Sequence, residues 1–140
     1  MMSPNNKNLW GELPKNVEVR TPYLILKEQA SILTQMTKGL LIGEVDRKSL
    51  GQNIFFVSLR IRVPALNSYT YSVVDVRYPL KLYPLAIKDY TSSEQEVQCS
   101  SEQEFELALG KILSSEQVKR VISTLLAEIQ SGDELQEDAF

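Results

Sequence analysis

The chain has 140 residues, of which 43% are hydrophobic and 24% charged, enough for one ordinary soluble core. It contains no His and a single Cys, Cys99, which excludes Ser/His and Cys/His nucleophile pairs, His-liganded zinc, four-thiolate metal sites and an internal disulfide. The net charge of −3 hides a division: residues 1–90 carry twelve basic and seven acidic side chains, residues 91–140 three basic and eleven acidic. A basic surface is then either neutralised internally or offered to an acidic partner.

Residues 1–20 are rich in Asn, Pro and charge, and read as a loosely ordered arm. Trp10, the sole Trp, lies in the segment Leu9-Trp10-Gly11-Glu12-Leu13-Pro14 and is a candidate aromatic anchor for a partner. Nothing in this start resembles a signal peptide, and no apolar run reaches the ~18 residues a membrane span requires. The expected address is cytoplasmic, with no membrane partner.

Thr21 followed by Pro22 reads as a helix start, because Thr accepts a hydrogen bond from an orphan amide and Pro has no amide to leave orphaned. Ile25, Ile32, Leu33 and Met36 then fall on one helical face, so a helix is predicted from residue 22 to about 37, ending near Gly39. A short strand follows at 40–45, and residues 46–52 read as a polar loop.

The strongest β signal is 54–63, where Phe55, Val57, Leu59, Ile61 and Val63 alternate with Ser58, Arg60 and Arg62 before Pro64. A third strand, 69–78, is β-branched and aromatic and closes at Pro79. Matching polar to polar side chains sets the register of this hairpin: Ile61 opposite Tyr71, Leu59 opposite Val73, Arg62 opposite Thr70 and Arg60 opposite Ser72. Carried to the far end, that register makes the polar side switch faces, with Asp75 and Arg77 opposite the arginine face. A fourth strand at 83–88 is expected at an edge because of Pro79 and Pro84.

Ser-Ser-Glu-Gln occurs at 92–95, 100–103 and 114–117. Ser101 with Glu104, and Ser114 with Gln117, satisfy the capping-box pattern and predict two helix starts. Phe105, Ala108, Leu109 and Ile112 form one stripe behind them, and Val118, Val121, Ile122, Leu125, Leu126 and Ile129 a longer one, wide enough for core on one side and a helix–helix seam on the other. Cys99, between Gln98 and Ser100, reads as a partly exposed loop thiol. Residues 131–140 read as an acidic disordered tail whose terminal Phe140 is a second candidate docking residue.

The expected architecture is α+β: an N-terminal helix, a four-stranded mainly antiparallel meander and two C-terminal amphipathic helices over residues 21–130. Glu44, Asp46, Asp75 and Asp89, with Tyr69 and Tyr71, are the groups available for acid–base chemistry, and no pair has motif spacing. There is no phosphate loop, nucleophile elbow or calcium loop. No catalytic residue, cofactor or metal is therefore expected. The chemically richest group is a candidate basic patch of Arg60 and Arg62, with Thr70 and Ser72 across from them and Arg77 and Lys81 nearby.

These features lead to the expectation of a small cytosolic, non-enzymatic protein-interaction or regulatory protein: an accessory subunit, inhibitor, antitoxin or chaperone-like adaptor that binds a protein partner or a second copy of itself. The alternative is nucleic-acid or nucleotide binding through the basic patch.

Overall fold

The computed structural model describes residues 6–15, 17–92 and 96–138, with side chains through residue 132. Helix α1 (Pro22–Met36) starts as its sequence requires: the Thr21 hydroxyl accepts from Leu24 N at 3.2 Å, and Pro22 takes the first helical position. Five strands follow, β1 (Ile42–Ser49), β2 (Ile54–Val63), β3 (Tyr69–Pro79), β4 (Leu85–Asp89) and β5 (Glu96–Cys99), then α2 (Glu102–Leu113) and α3 (Glu116–Asp138). The sheet order is β1-β2-β3-β4-β5 with every neighbour antiparallel, an α+β meander.

The sheet has five strands rather than four. β5 is short, and the stretch before it resembles a capping motif, which masks its Glu96-Val97-Gln98-Cys99 alternation. Because β5 takes the edge, β4 is internal; Pro84 immediately precedes it and so stays out of the ladder. Cys99 ends β5 and is 2% exposed, not a loop thiol. β1 continues through Asp46, Arg47, Lys48 and Ser49, which read as loop from their polarity but form an edge strand, where charged side chains are at home.

The β2–β3 hairpin has the expected pairing near its loop: Arg60 opposite Ser72, Ile61 opposite Tyr71, Arg62 opposite Thr70 and Val63 opposite Tyr69. Beyond it the register shifts, and Leu59 meets Val74 instead of Val73. Val73 is the extra residue of a β-bulge, and both Val73 and Val74 are buried. This insertion cancels the face switch. Asp75 and Arg77 come back to the side of Arg60 and Arg62, while Val74, Val76 and Tyr78 face the core with Val57 and Leu59.

All three helices pack on that core face. Ile25, Leu26 and Ala30 of α1, Phe105 and Leu109 of α2, and Leu125 and Ile129 of α3 join Val57, Leu59, Ile61, Val76, Leu85 and Ile87 in one cluster. Fully burying side chains of this size contributes roughly 1.5–3 kcal/mol each. The buried side of α1 is Pro22, Ile25, Leu26 and Ala30, so the stripe expected to include Ile32 and Met36 is rotated: those two are 44% and 77% exposed. The cause is Gly43 in β1, where a Cβ would stand 2.3 Å from the Ala30 carbonyl oxygen. Backbone meets backbone there, and Ala30 must point at the strand.

Capping follows the motif at α2, where Ser101 Oγ accepts from Glu104 N at 3.2 Å. The Glu104 carboxylate reaches Ser100 N at 2.9 Å rather than Ser101 N. At α3 the cap is Ser115, accepting from Val118 N at 3.2 Å, while Ser114 ends α2 and donates to the Gly110 carbonyl at 2.7 Å. The helical span of α3 runs through most of the segment read as an acidic tail. Phe140 lies outside the described residues. No described helix is long and apolar enough to cross a membrane.

Candidate functional site

The molecule has two very different surfaces. One is the open face of the sheet, which carries the arginines singled out from sequence. Arg60 and Arg62 stand two residues apart on β2, point away from the helices and lie across from Ser72 and Thr70 as expected. They do not form a free basic patch. Arg62 Nε donates to Glu44 Oε2 at 2.8 Å, and Arg60 donates to Asp46. Both partners sit on β1, each one diagonal step from its arginine, a distance that long side chains bridge readily.

The same pattern continues across the sheet. Arg77 is paired with Glu96 of β5, Ser58 Oγ donates to Asp75 at 2.7 Å, and the Tyr90 hydroxyl donates to the other Asp75 oxygen. Lys88 lies 4.9 Å from the centre of the Tyr90 ring. One transverse row thus reads Asp46, Ser58, Asp75, Lys88, Glu96. Lys81 sits apart, in the exposed turn between β3 and β4. Thr70 donates to the Ser68 carbonyl at 3.2 Å, a local turn contact. The open face is therefore a lattice of cross-strand pairs, with Arg60 and Arg62 about one-third exposed. Such pairs contribute roughly 0–1 kcal/mol each, and they leave little unbalanced charge for an anionic ligand.

The carboxylates named as possible acid–base groups are occupied in the same way. Glu44 and Asp46 bind the arginines, Asp75 binds Ser58 and Tyr90, and Asp89 accepts from Thr91 N at 2.8 Å and from the Thr91 and Ser92 hydroxyls in the β4–β5 turn. Tyr71 and Tyr69 line a shallow groove beside α3 with Arg120 and Thr124. Burial raises the Tyr71 hydroxyl above the ordinary tyrosine range.

The other surface is apolar. Between α1 and the start of α3 a cleft of about 190 Å³ opens onto the core side of the sheet. Leu59, Ile61 and the bulge residue Val73 form its floor; Ile32, Leu33 and Met36 form one wall, Val118 and Ile122 the other, and Leu113 of α2 closes one end. Its volume lies below the ~300 Å³ at which small-molecule pockets usually begin, and it suits one large apolar side chain. Sequence reasoning missed it, although the signals were present: a helical stripe longer than its core contact, and two consecutive valines interrupting the alternation of β3.

A groove between α1 and α2 shares Gln29 and Leu113 with this cleft and leads to Arg20. Arg20 donates to Glu28 and Glu106, both at 2.6 Å, and to Glu102 at 3.2 Å, clamping the first helix to the second. Hydrogen bonds to Glu106 and then Glu28 hold its guanidinium charged. Before Arg20, the arm leaves its apolar side chains in solvent: Leu9 is 90%, Trp10 84%, Leu13 66% and Val17 79% exposed.

Comparison of the chain with family models, with curated proteins and with solved structures finds no match.

Proposed function

We propose that this chain is a small non-enzymatic interaction or regulatory protein whose working surface is the α1/α3 cleft, where it receives an apolar anchor from a protein partner. The observation that carries this reading is the contrast between the two faces. The charged face is paired from within through Glu44, Asp46, Asp75 and Glu96, whereas Ile32 and Met36 remain open over an apolar floor. Water around an open apolar cleft is released when an apolar side chain enters, so the favourable exchange lies on the helical side. The paired arginines argue against the alternative of nucleic-acid binding, because phosphates would compete with the Glu44 and Asp46 carboxylates already paired with Arg62 and Arg60.

The test is affinity capture from the native source with three versions of the chain. Wild type and Arg60→Ala/Arg62→Ala recover the same stoichiometric protein partner, and Met36→Glu loses it. Recovery of no partner together with no self-association refutes the reading, as does loss through the arginine variant alone.

A further inference from the structure

The arm presents its aromatic residue. Asn8 closes a small turn, its Nδ2 donating to the Gly11 carbonyl at 3.1 Å and its Oδ1 accepting from Trp10 N at 3.0 Å. Leu9 and Trp10 stand at the tip of that turn, the two most exposed large apolar residues among those described. Among the described residues the molecule thus has an exposed aromatic knob and, on the helical side, an open apolar cleft of single-side-chain size.

Whether the knob reaches the cleft of its own chain is a matter of length. The arm joins α1 at Pro22, where Arg20 reaches along the helix to Glu28 in its second turn, while the cleft is lined by Gln29 to Met36, with Ile32 ~15 Å beyond Pro22 at 1.5 Å per residue. Docking within one chain requires a reversal near the root. Residues 17–20 are Val-Glu-Val-Arg, where β-branched side chains favour extended backbone and no turn former occurs. The turn formers, Pro14 and Asn16, lie about midway. A reversal there sends four residues out and about four back, ~13 Å each way at ~3.3 Å per residue, which returns Trp10 to the height of the root and short of the cleft. Fully extended, the ten residues from Arg20 to Trp10 span up to ~33 Å and carry the knob clear of the domain.

We propose that two copies of this chain exchange arms, each seating its Trp10 in the α1/α3 cleft of the other, with Leu13 following into the adjoining α1/α2 groove. The exchange is isologous, so one contact made twice closes a dimer. Trp10 and Leu13 of the two arms, with the surfaces they cover, bury on the order of 1,500 Å² in total, the size of a stable specific interface. This rests on the reading of the cleft as a receptor for apolar side chains, and gives it a resident occupant that a partner must displace.

Because Trp10 is the only Trp, its fluorescence reports the arm directly. Sedimentation equilibrium and Trp emission are measured together on dilution. Wild type is a dimer with blue-shifted emission that moves to that of a hydrated indole as it dissociates. Trp10→Ser and Met36→Glu are each monomeric or much weaker dimers, and Met36→Glu shows hydrated-indole emission; position 36 is mostly exposed, and far-UV circular dichroism verifies its fold. Mixing the two variants restores one arm–cleft contact, so a heterodimer forms and the emission shifts to the blue again.

A monomer with hydrated emission at all concentrations overturns the exchange. So does a monomer with blue-shifted emission, which places the arm in its own cleft, and so does a dimer indifferent to Trp10→Ser. If the exchange fails while Met36→Glu still abolishes partner capture, the cleft reading stands and only its resident occupant is wrong.

Discussion

Gly43 of β1 and Ala30 of α1 meet without a side chain between them, and the Thr34 hydroxyl joins the two segments there, accepting from Gly43 N at 2.9 Å and donating to the Ala30 carbonyl at 3.1 Å. This contact fixes the rotation of α1 and leaves Ile32 and Met36 facing the cleft. Gly43→Ala forces a methyl to within 2.3 Å of a backbone oxygen, so the helix must move. Urea unfolding is expected to show a loss of about 1–3 kcal/mol, the usual range for overpacking. Gly110→Ala in α2, where a Cβ meets nothing within 4 Å, is the matched control and gains about 0.5–1 kcal/mol from helix propensity. Equal effects at the two positions refute the close-contact account.

Arg60 and Arg62 of the open face are silenced by β1. Glu44→Gln with Asp46→Asn removes both partners and keeps the shapes. The variant is expected to be retained by heparin in a salt-sensitive manner that wild type does not show, since freed guanidinium groups pair readily with sulfate. A double-mutant cycle on Arg62 and Glu44 should give a coupling of roughly 0–1 kcal/mol. Strong heparin retention by wild type contradicts the pairing.

Tyr83 carries a buried hydroxyl without a hydrogen-bond partner. Burial first, then the nearby Glu102 and Glu106 carboxylates, push its pKa up to about 12 from an ordinary 10. Between those values the unfolded chain has released a proton that the native chain keeps, so stability is intact below pH 10 and falls as the pH rises toward 12. Tyr83→Phe is expected to flatten this alkaline decline measured by urea midpoints, and to cost little at neutral pH because no bond is lost. An unchanged alkaline slope refutes the assignment.

Cys99 is buried at the end of β5, and burial followed by Glu104 raises its thiol pKa. Both effects suppress the thiolate, so labelling by a disulfide reagent should be slow in the native protein and immediate in denaturant. Rapid native labelling would show that the β5 edge opens readily.

Local order was legible in the residues themselves. The Thr21-Pro22 start, the alternation of β2, its turn at Pro64 and the stripes of α2 and α3 are readable because caps, prolines and periodicity act within a few residues of chain. β5 and the second half of β1 were less so, because short or charged edge strands carry little apolar alternation and draw their stability from a neighbour. The bulge had a signature, polar residues at Thr70 and Ser72 resuming out of step at Asp75 and Arg77, but an even register assumed over the whole hairpin hid it.

The candidate site divides along the same line. That Arg60 and Arg62 are neighbours on one face is a property of strand geometry and could be read directly. That Glu44 and Asp46 neutralise them, and that Ile32 and Met36 are left at the rim of a cleft, depended on the pairing of β1 with β2 and on the seating of α1 over Gly43. Side-chain chemistry and period are encoded locally, whereas which charges cancel and which apolar surface stays uncovered depend on distances between segments far apart in the chain, and those exist only once the fold has closed.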